Sequence, residues 1–151
     1  MRKLVYLISP NKINSSFYSD LDKVLSYKIV SFFQLRLKNI KNNELLKITR
    51  KIKKITSKYK VKLIINDNFI VASKIKVDGC HMGQLDGSFK LARNKLKNKI
   101  LGITCHNSKI LAKNAIIHKA DYIAFGSFFD SKLKPKAQRA NLAILKWAKK
   151  N

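Results

Sequence analysis

Two acidic residues directly follow apolar segments of the sequence, and they are the strongest candidates for chemistry. Asp67 follows the segment 61–65, and Asp86 follows the segment 77–82. The chain has only 8 Asp and Glu against 33 Lys and Arg, so acids at these positions run against the composition. Carboxylates at neighbouring strand ends can share one Mg²⁺, which prefers hard oxygen ligands and leaves coordination positions for substrate phosphates. The alternative is that each aspartate is the N-cap of the following helix, a common role for Asp at β-to-α turns.

Basic and neutral polar side chains stand at the ends of the other apolar segments. Arg36 and Lys38 stand at the end of the segment 29–37, and Lys134 comes after the last segment. Arg binds phosphate oxygens bidentately, and Lys supplies a compact positive charge. Because the carboxyl ends of parallel strands meet at one edge, the pattern favours a single phosphate and metal site. The further polar residues at these ends are Gln34, Asn66, Gln84, Thr104 and Ser131.

His81 and the two cysteines are weaker candidates for a role in chemistry. His81 follows a strand, and it would either line the site or bond a backbone carbonyl as a structural histidine. Cys80 and Cys105 could approach each other across adjacent strands, but they lack the His and Cys partners that a zinc site needs. Two cysteines cannot staple a secreted fold of this size, so we expect reduced thiols and a cytoplasmic location. The apolar start of the chain ends at Ser9-Pro10 without a small-residue cleavage site, which predicts a first strand and not a signal peptide.

Six apolar segments, alternating with segments of helical spacing, must position these residues. Near-continuous apolar runs indicate strands buried on both faces. Strict alternation implies parallel strands joined by right-handed crossovers, but it does not decide between an open sheet and part of a barrel. No G-x-G-x-x-G or Walker-type loop is present, which weakens a nucleotide-binding open sheet. The predicted strands are 4–8, 29–37, 61–65, 77–82, 100–105 and 122–129, and the predicted helices are 20–27, 45–55, 68–74, 88–96, 108–119 and 141–150.

The composition restricts the class of protein. The 151 residues suit one domain, and 46% hydrophobic residues suffice for a core. No run approaches the ~20 apolar residues that span a bilayer. The formal charge of +25 suggests nucleic-acid binding, because Lys and Arg neutralise phosphates. However, the basic residues are scattered and mostly Lys, and the aromatic residues lie in strand-like segments, so solvated surface lysines are favoured.

Five stretches of the sequence combine the polar residues named above with the apolar segments that precede them. The stretches are Gln34-Leu35-Arg36-Leu37-Lys38, Ile64-Ile65-Asn66-Asp67, Asp78-Gly79-Cys80-His81-Met82-Gly83-Gln84-Leu85-Asp86, Leu101-Gly102-Ile103-Thr104-Cys105-His106 and Ala120-Asp121-Tyr122-Ile123-Ala124-Phe125-Gly126. In their order and spacing they resemble the thiamine phosphate synthase family. The resemblance covers essentially the whole chain, although a sister branch of thiazole tautomerases shares part of the pattern. In that branch a His often follows the Phe-Gly element, where this chain has Ser127, which argues against tautomerase activity.

The resemblance implies a Mg²⁺-dependent TIM-barrel enzyme that acts on small molecules. It would couple hydroxymethylpyrimidine diphosphate to hydroxyethylthiazole phosphate and release pyrophosphate, with no protein nucleophile. Asp67 and Asp86 would be the Mg²⁺ ligands, and Thr104 replaces the usual Ser with its hydroxyl kept. Ser131 keeps the first hydroxyl of the family's Thr-x-Thr-Lys, and the second is lost. By the same resemblance Gln34, Arg36, Lys38 and Asn66 hold the pyrimidine diphosphate, and Lys134 reaches the pyrophosphate. His81 and Gln84 are expected to line the site from their place at the end of the segment 77–82.

The length departs from that family. A closed barrel has eight strands and typically ~250 residues. We therefore expect one (β/α) barrel domain over 1–151, truncated after about six βα units and lacking the last two. Three explanations compete: a fragment or frameshifted product, a homo-oligomer that completes the barrel, or a degenerate protein with another role such as nucleic-acid binding. The first is favoured.

Overall fold

The computed structural model describes residues 4–129 and 139–150, and six strands alternate with six helices in this part of the chain. Every predicted strand and helix is present within a few residues of its expected position. The segment predicted as strand 122–129 is shorter, since its strand ends at Phe125. The elements are β1 Val5–Ile8, α1 Phe17–Ser26, β2 Val30–Leu35, α2 Asn42–Lys58, β3 Lys62–Asn66, α3 Phe69–Lys74, β4 Gly79–Met82, α4 Phe89–Leu96, β5 Ile100–His106, α5 Lys109–Ile117, β6 Tyr122–Phe125 and α6 Leu142–Lys150.

The six strands form one parallel sheet in sequence order from β1 to β6. The helices α1 to α5 each connect two neighbouring strands, as the alternation of apolar and helical segments predicts, and α6 follows the last strand. The sheet curls strongly, because the hydroxyl oxygens of Tyr6 on β1 and Tyr122 on β6 are only 2.6 Å apart. The architecture is a half-barrel of TIM-barrel type, so of the two folds left open by the pattern the barrel is confirmed.

The core lies between the outer face of the curled sheet and the helices. In α2, buried Leu45, Thr49, Ile52 and Thr56 recur at three- and four-residue steps, which gives that helix one face toward the sheet. Each large apolar side chain that is fully buried contributes about 1.5–3 kcal/mol relative to exposure. The strand residues of this core include Phe33, Leu35, Leu63, Ile65, Cys80, Met82, Leu101, Ile103 and Cys105. The edge strands depart from the expectation of burial on both faces, since β1 and β6 are only partly buried.

Among the described residues, four helices begin with a side-chain cap, and at the start of α6 the cap is Asn141, whose Oδ1 accepts from the Ile144 amide at 3.2 Å. The side chains of Asn68, Ser88 and Ser108 accept hydrogen bonds from the amides of Val71, Leu91 and Leu111, respectively. Such a cap satisfies one of the unpaired amides of the first turn and stabilises a helix by about 1 kcal/mol. The caps of α3 and α4 are therefore not Asp67 and Asp86. They are Asn68, one position after Asp67, and Ser88, two positions after Asp86. Ser108 caps α5 as predicted.

At the amino-terminal ends of the strands, an aspartate forms a pair of hydrogen bonds with the neighbouring strand, and this arrangement occurs twice. Asp78 precedes β4; its amide donates to the Leu63 carbonyl (2.9 Å), and its carboxylate accepts from the Leu63 amide (2.9 Å). Asp121 precedes β6 and makes the same pair of bonds with Leu101, at 2.8 and 2.7 Å. Lys53 also donates to Asp78 at 2.8 Å. Burial on its own would raise the pKa of Asp78, but the bonds from Lys53 and the Leu63 amide outweigh burial and lower the pKa. Two of the few acids thus hold neighbouring strands in register.

Candidate functional site

A cavity of about 710 Å³ lies on the inner face of the half-barrel and opens at the carboxyl ends of the strands. Its size is in the range of small-molecule sites, and its position is where parallel α/β folds collect function. Nine of the residues predicted from the sequence line this one cavity: Gln34, Arg36, Lys38, Asn66, Asp67, His81, Gln84, Asp86 and Thr104. The two other predicted residues, Ser131 and Lys134, lie outside the described residues.

Asp67 and Asp86 are adjacent in the cavity. Lys38 Nζ forms an ion pair with Asp67 Oδ2, and the Gly83 amide donates to Asp86 Oδ2 at 2.6 Å. Burial raises the pKa of Asp86, and a side-chain hydrogen bond and the charge of Asp67 raise it further. This is the behaviour of two carboxylates that share one site and repel each other. Neither is a helix N-cap, so the capping alternative is wrong for both.

The backbone around Asp67 fixes where its carboxylate points. Asp67 has φ +64°, in the left-handed region that a non-glycine residue adopts only at some cost. Its amide donates to the His81 carbonyl at 2.7 Å, which ties the end of β3 to β4. The next residue, Asn68, turns its side chain to the helix and caps α3. In this turn Asn68 therefore caps the helix, and the Asp67 carboxylate stays available in the cavity.

The loop after β1 supports the basic residues that follow β2. The Arg36 amide donates to Ser9 Oγ at 2.8 Å, and Arg36 Nη1 donates to Asn11 Oδ1. The Lys38 amide donates to the Asn11 carbonyl at 3.3 Å. These bonds hold two cations on the same side of the cavity, beside the aspartate pair. Positive groups placed in this way suit a multiply charged anion.

The deeper part of the cavity is polar and buried. Gln34, Asn66 and His81 are each at least nine-tenths buried, and Gln34 Nε2 donates to Asn66 Oδ1. His81 Nδ1 is 2.9 Å from Tyr122 Oη, and its Nε2 is 2.8 Å from Thr104 Oγ1. His81 therefore lines the site, and hydroxyl groups meet both of its ring nitrogens.

The loop between β4 and α4 forms part of the cavity mouth. Gln84 Nε2 donates to the Thr104 carbonyl at 2.5 Å, which fastens this loop to β5. Asp86 is held by the Gly83 amide, so the residues on both sides of Leu85 are fixed. Leu85 itself is 99% exposed at the rim. The loop thus presents Asp86 inward from a short, pinned turn.

Sequence reasoning missed several cavity residues, notably Tyr6, Tyr122 and His106. Tyr6 and Tyr122 lie inside strands, where an apolar run hides their inward-facing hydroxyl groups. Tyr122 and Ala124 line the cavity together, and this two-residue alternation along β6 could have identified Tyr122. His106 ends β5 with φ +50°, and its carbonyl accepts from the Gly126 amide at 3.1 Å. His106 directly follows the predicted strand 100–105, but its position in the sequence indicates no particular role.

The two cysteines are not part of the site. Cys80 and Cys105 are free and buried in the core between sheet and helices. Burial raises the pKa of both thiols, that of Cys105 to about 11, so both are poor nucleophiles and poor metal ligands. Over residues 4–129 and 139–150 no group of three or more His, Cys, Asp or Glu side chains is placed to hold a metal. The helices of the same ranges include none long and apolar enough to cross a membrane.

Comparison with known proteins leads to one family. The model of a family described as thiamine monophosphate synthase matches residues 5–151. A thiamine-phosphate synthase of Pelagibacter ubique (strain HTCC1062) is 56% identical over 150 residues, covering 99% of this chain and 72% of that protein. One from Erythrobacter litoralis (strain HTCC2594) is 38% identical over 148 residues, covering 95% of this chain and 70% of that protein. A solved structure of thiamine phosphate pyrophosphorylase from Pyrococcus furiosus has a TM-score of 0.82 at 25% identity, covering 97% of this chain and 68% of that one.

Proposed function

The chain belongs to the thiamine monophosphate synthase family, a family of transferases, and we propose that its cavity binds a pyrimidine diphosphate and joins the pyrimidine to a thiazole phosphate. The products would be thiamine phosphate and pyrophosphate. The observation that carries this proposal is the adjacent carboxylate pair, Asp67 and Asp86, with Lys38 bound to it at the cavity mouth. Such a cluster suits a diphosphate and a divalent cation together.

The carboxylate pair fits Mg²⁺ by its chemistry. Asp67 and Asp86 offer hard oxygen atoms. Burial and, after it, the neighbouring Asp67 carboxylate raise the pKa of Asp86, and a cation between the two carboxylates would relieve their repulsion. Mg²⁺ is commonly bound by one or two carboxylates, with water and substrate phosphates completing its coordination. We propose these two residues as its ligands. The ion would supply charge stabilisation for the departing pyrophosphate.

Arg36 and Lys38 are proposed to bind the diphosphate oxygens beside that ion. Their side chains line the same part of the cavity, and the Ser9–Asn11 loop holds both residues in place. A substrate would replace the contact of Arg36 with Asn11 by a stronger one, because a diphosphate carries more charge than an amide oxygen. Lys134 is proposed to add a further cation to the same anion.

The buried polar groups suit the pyrimidine. Gln34 and Asn66 are more buried than the carboxylates, and Thr104 is partly buried in the same cavity, so together they present amide and hydroxyl groups to a flat heterocycle. His81 and Gln84 hold Thr104 from its side chain and from its carbonyl, respectively. We propose that these residues orient the ring so that its methylene group faces the mouth. Ser131 is proposed to contact the second substrate there.

The chemistry needs no protein nucleophile. The bond between the methylene carbon and the diphosphate oxygen breaks, and its electron pair leaves with the pyrophosphate. The thiazole nitrogen then gives its lone pair to the cationic methylene carbon, so charge and atoms balance. The work of the protein is to stabilise the negative charge that builds up on the leaving group, and preorganised cations are the largest contribution to such stabilisation.

Two alternatives carry less support. A thiazole tautomerase is disfavoured because the relatives are thiamine-phosphate synthases and because Ser127 follows the Phe-Gly element. Nucleic-acid binding is disfavoured because the cavity gathers Arg36 and Lys38 with acids instead of forming a uniformly basic surface. Binding to DNA or RNA that persists at physiological salt would favour this second alternative.

The test is titration calorimetry of the chain with the pyrimidine diphosphate, with and without Mg²⁺, followed by a product assay after addition of the thiazole phosphate. We expect Mg²⁺-dependent binding that Asp67→Ala reduces by at least about 10-fold, the loss of roughly one charge-assisted contact. Asp22→Ala is the matched control, because Asp22 is on α1 and pairs with Lys58 outside the cavity. Equal binding by Asp67→Ala and the wild type, or no binding at all, would contradict the proposal.

A further inference from the structure

Four side chains from four strands form an unbroken hydrogen-bonded series on the inner face. Tyr6 Oη lies 2.6 Å from Tyr122 Oη, and Tyr122 Oη lies 2.9 Å from His81 Nδ1. His81 Nε2 then lies 2.8 Å from Thr104 Oγ1. All four residues line the cavity, and the series runs from β1 through β6 and β4 to β5. We call it the hydroxyl–imidazole series.

Gly102 makes this series possible. His81, Gly102 and Tyr122 are partners in one row across β4, β5 and β6. A Cβ atom on Gly102 would lie 2.0 Å from Cζ of Tyr122, far inside contact distance. Because Gly102 has no side chain, the rings of His81 and Tyr122 stack over it, with centroids 5.6 Å apart and an interplanar angle of 20°. His81 on β4 and Tyr122 on β6 can therefore share a hydrogen bond although β5 lies between them.

The number of protons restricts what the series can do. With a neutral imidazole each of the four groups carries one exchangeable proton, but only three hydrogen bonds join them. One proton is therefore left over. It lies on Thr104 when Tyr122 donates to His81, and on Tyr6 or Tyr122 when His81 donates to Tyr122, so the direction of this bond decides whether Thr104 has a free proton.

Acidity decides that direction. Burial raises the pKa of Tyr122 above its ordinary value and that of Tyr6 to about 12, so both phenols keep their protons. A phenol is a stronger donor than an aliphatic alcohol, and an imidazole nitrogen is a stronger acceptor than a phenol oxygen. Tyr122 therefore donates to Nδ1, which leaves the ring proton of His81 on Nε2. Nε2–H donates to Thr104 Oγ1, and the hydroxyl proton of Thr104 is the one left over.

We propose that Tyr122 is a positioning residue that acts through His81 to make Thr104 a hydrogen-bond donor toward the cavity. The donor would recognise an acceptor on the bound heterocycle, a ring nitrogen in the pyrimidine. The identity of that ligand rests on the proposed function, whereas the tautomer of His81 does not. A heterocycle without an acceptor at that place would leave this donor unpaired, so the series selects against it.

The first test reads the tautomer directly in the ligand-free protein. The chain has only 3 His, so the ring nitrogens of ¹⁵N-histidine-labelled protein give few signals, and the variants His106→Gln and His118→Gln assign them. We expect His81 to carry its proton on Nε2 in the wild type and in Tyr6→Phe, where Tyr122 still donates. In Tyr122→Phe we expect a mixture of tautomers. A proton on Nδ1 in the wild type, or an unchanged pattern in Tyr122→Phe, would overturn the proposal.

The second test separates positioning from general damage to the site. We expect Tyr122→Phe to weaken binding of the pyrimidine diphosphate about 3- to 10-fold, the effect of one lost hydrogen bond. Binding of inorganic pyrophosphate with Mg²⁺ should stay unchanged, as should both affinities in Tyr27→Phe, whose tyrosine is 66% exposed. Equal loss for both ligands would mean a merely structural role and would overturn the proposal.

A variant on a different strand keeps the proposal testable if Tyr122→Phe does not fold. Thr104→Val removes the terminal hydroxyl but keeps the shape, and we expect it to weaken pyrimidine diphosphate binding while His81 stays protonated on Nε2. Unweakened binding in Thr104→Val would overturn the proposal. If the wild type shows the expected tautomer but binds no pyrimidine diphosphate, the proposed function fails and the tautomer assignment stands.

Discussion

Tyr6 and Tyr122 lie on the two edge strands of a six-stranded sheet, yet their hydroxyl oxygens are 2.6 Å apart. A flat parallel sheet would separate β1 and β6 by about 24 Å, five spacings of ~4.8 Å. The contact is therefore made across the interior of the curl and not along the sheet. It closes the inner face below the cavity, so the fold and the site depend on the same pair of side chains.

The Tyr6 hydroxyl should make stability sensitive to alkaline pH. Burial raises the pKa of Tyr6 to about 12, whereas an unfolded tyrosine ionises near pH ~10. The folded state therefore holds this proton more tightly, and the resulting stabilisation is complete below pH ~10 and is lost as the pH rises toward 12. We expect Tyr6→Phe to be less stable than the wild type by about 1 kcal/mol at neutral pH, with the gap narrowing above pH ~10.

Urea denaturation between pH 7 and 12 measures this gap. Tyr27→Phe is the control, because Tyr27 is 66% exposed and its variant should follow the wild type at every pH. A gap between Tyr6→Phe and the wild type that stays constant across the series would contradict the expectation.

Asp78→Asn should destabilise the fold by about 1–2 kcal/mol at pH 7, because it removes the charge that Lys53 and the Leu63 amide bind. The pKa of Asp78 is lowered in the fold, so its contribution is present above the unfolded pKa of ~3.9 and is lost as the pH falls through the lower folded value. The difference from the wild type should therefore vanish in acid. Thermal unfolding at pH 7 and near pH 3 checks both parts.

Asp22→Asn is the matched substitution for that experiment. Asp22 pairs with Lys58 at 3.1 Å, but both side chains are well exposed, so water and salt screen this pair and it adds little to stability. If Asp22→Asn cost as much as Asp78→Asn, the bonds that Asp78 makes to the neighbouring strand would not be the source of the effect.

Gly102→Ala should be among the most damaging small substitutions in the chain. The added methyl group would collide with the ring of Tyr122, and overpacking of this kind costs about 1–3 kcal/mol or more. The double variant Gly102→Ala, Tyr122→Ala removes the colliding ring, so its destabilisation should be smaller than the sum of the two single changes. Chemical denaturation of all four proteins gives this coupling. Simple additivity would show that the two residues do not interact.

Asp86→Asn should stabilise the metal-free protein by about 0.5–1 kcal/mol while removing its response to Mg²⁺. The like charges of Asp67 and Asp86 oppose each other, and an amide at 86 ends the repulsion but can still accept from the Gly83 amide. A gain in stability with a loss of function is the usual trade-off at a binding site. Melting curves with and without Mg²⁺ test both effects, with exposed Asp20→Asn as the control. A metal-free melting temperature below that of the wild type would contradict the prediction.

The sequence predicted the strands and helices well because each apolar segment is short and each helix has one buried face. It also predicted which strand-end residues line the cavity, since in a parallel sheet position along the chain determines the edge at which a residue lies. Asp67, Asp86 and Lys38 converge as expected, although they are 19 or more positions apart in the sequence.

Other features could not be predicted from one sequence. The contact between Tyr6 and Tyr122 depends on how far the sheet curls, and the strand pattern left the curl undecided. The capping alternative for Asp67 and Asp86 is wrong although Asp is a good cap former by type, because the caps lie one position later at Asn68 and two positions later at Ser88. Only the backbone conformation, φ +64° at Asp67, shows that the cap is Asn68.

The side chains that cap α3 and α4, Asn68 and Ser88, stand one and two positions after the cavity aspartates. Helix capping and the lining of the cavity therefore depend on different side chains within the same short turns. The two cavity aspartates can be replaced without removing the side-chain caps of the helices that begin beside them. The half-barrel can therefore acquire new specificities with little loss of the stability that these caps give to its helices.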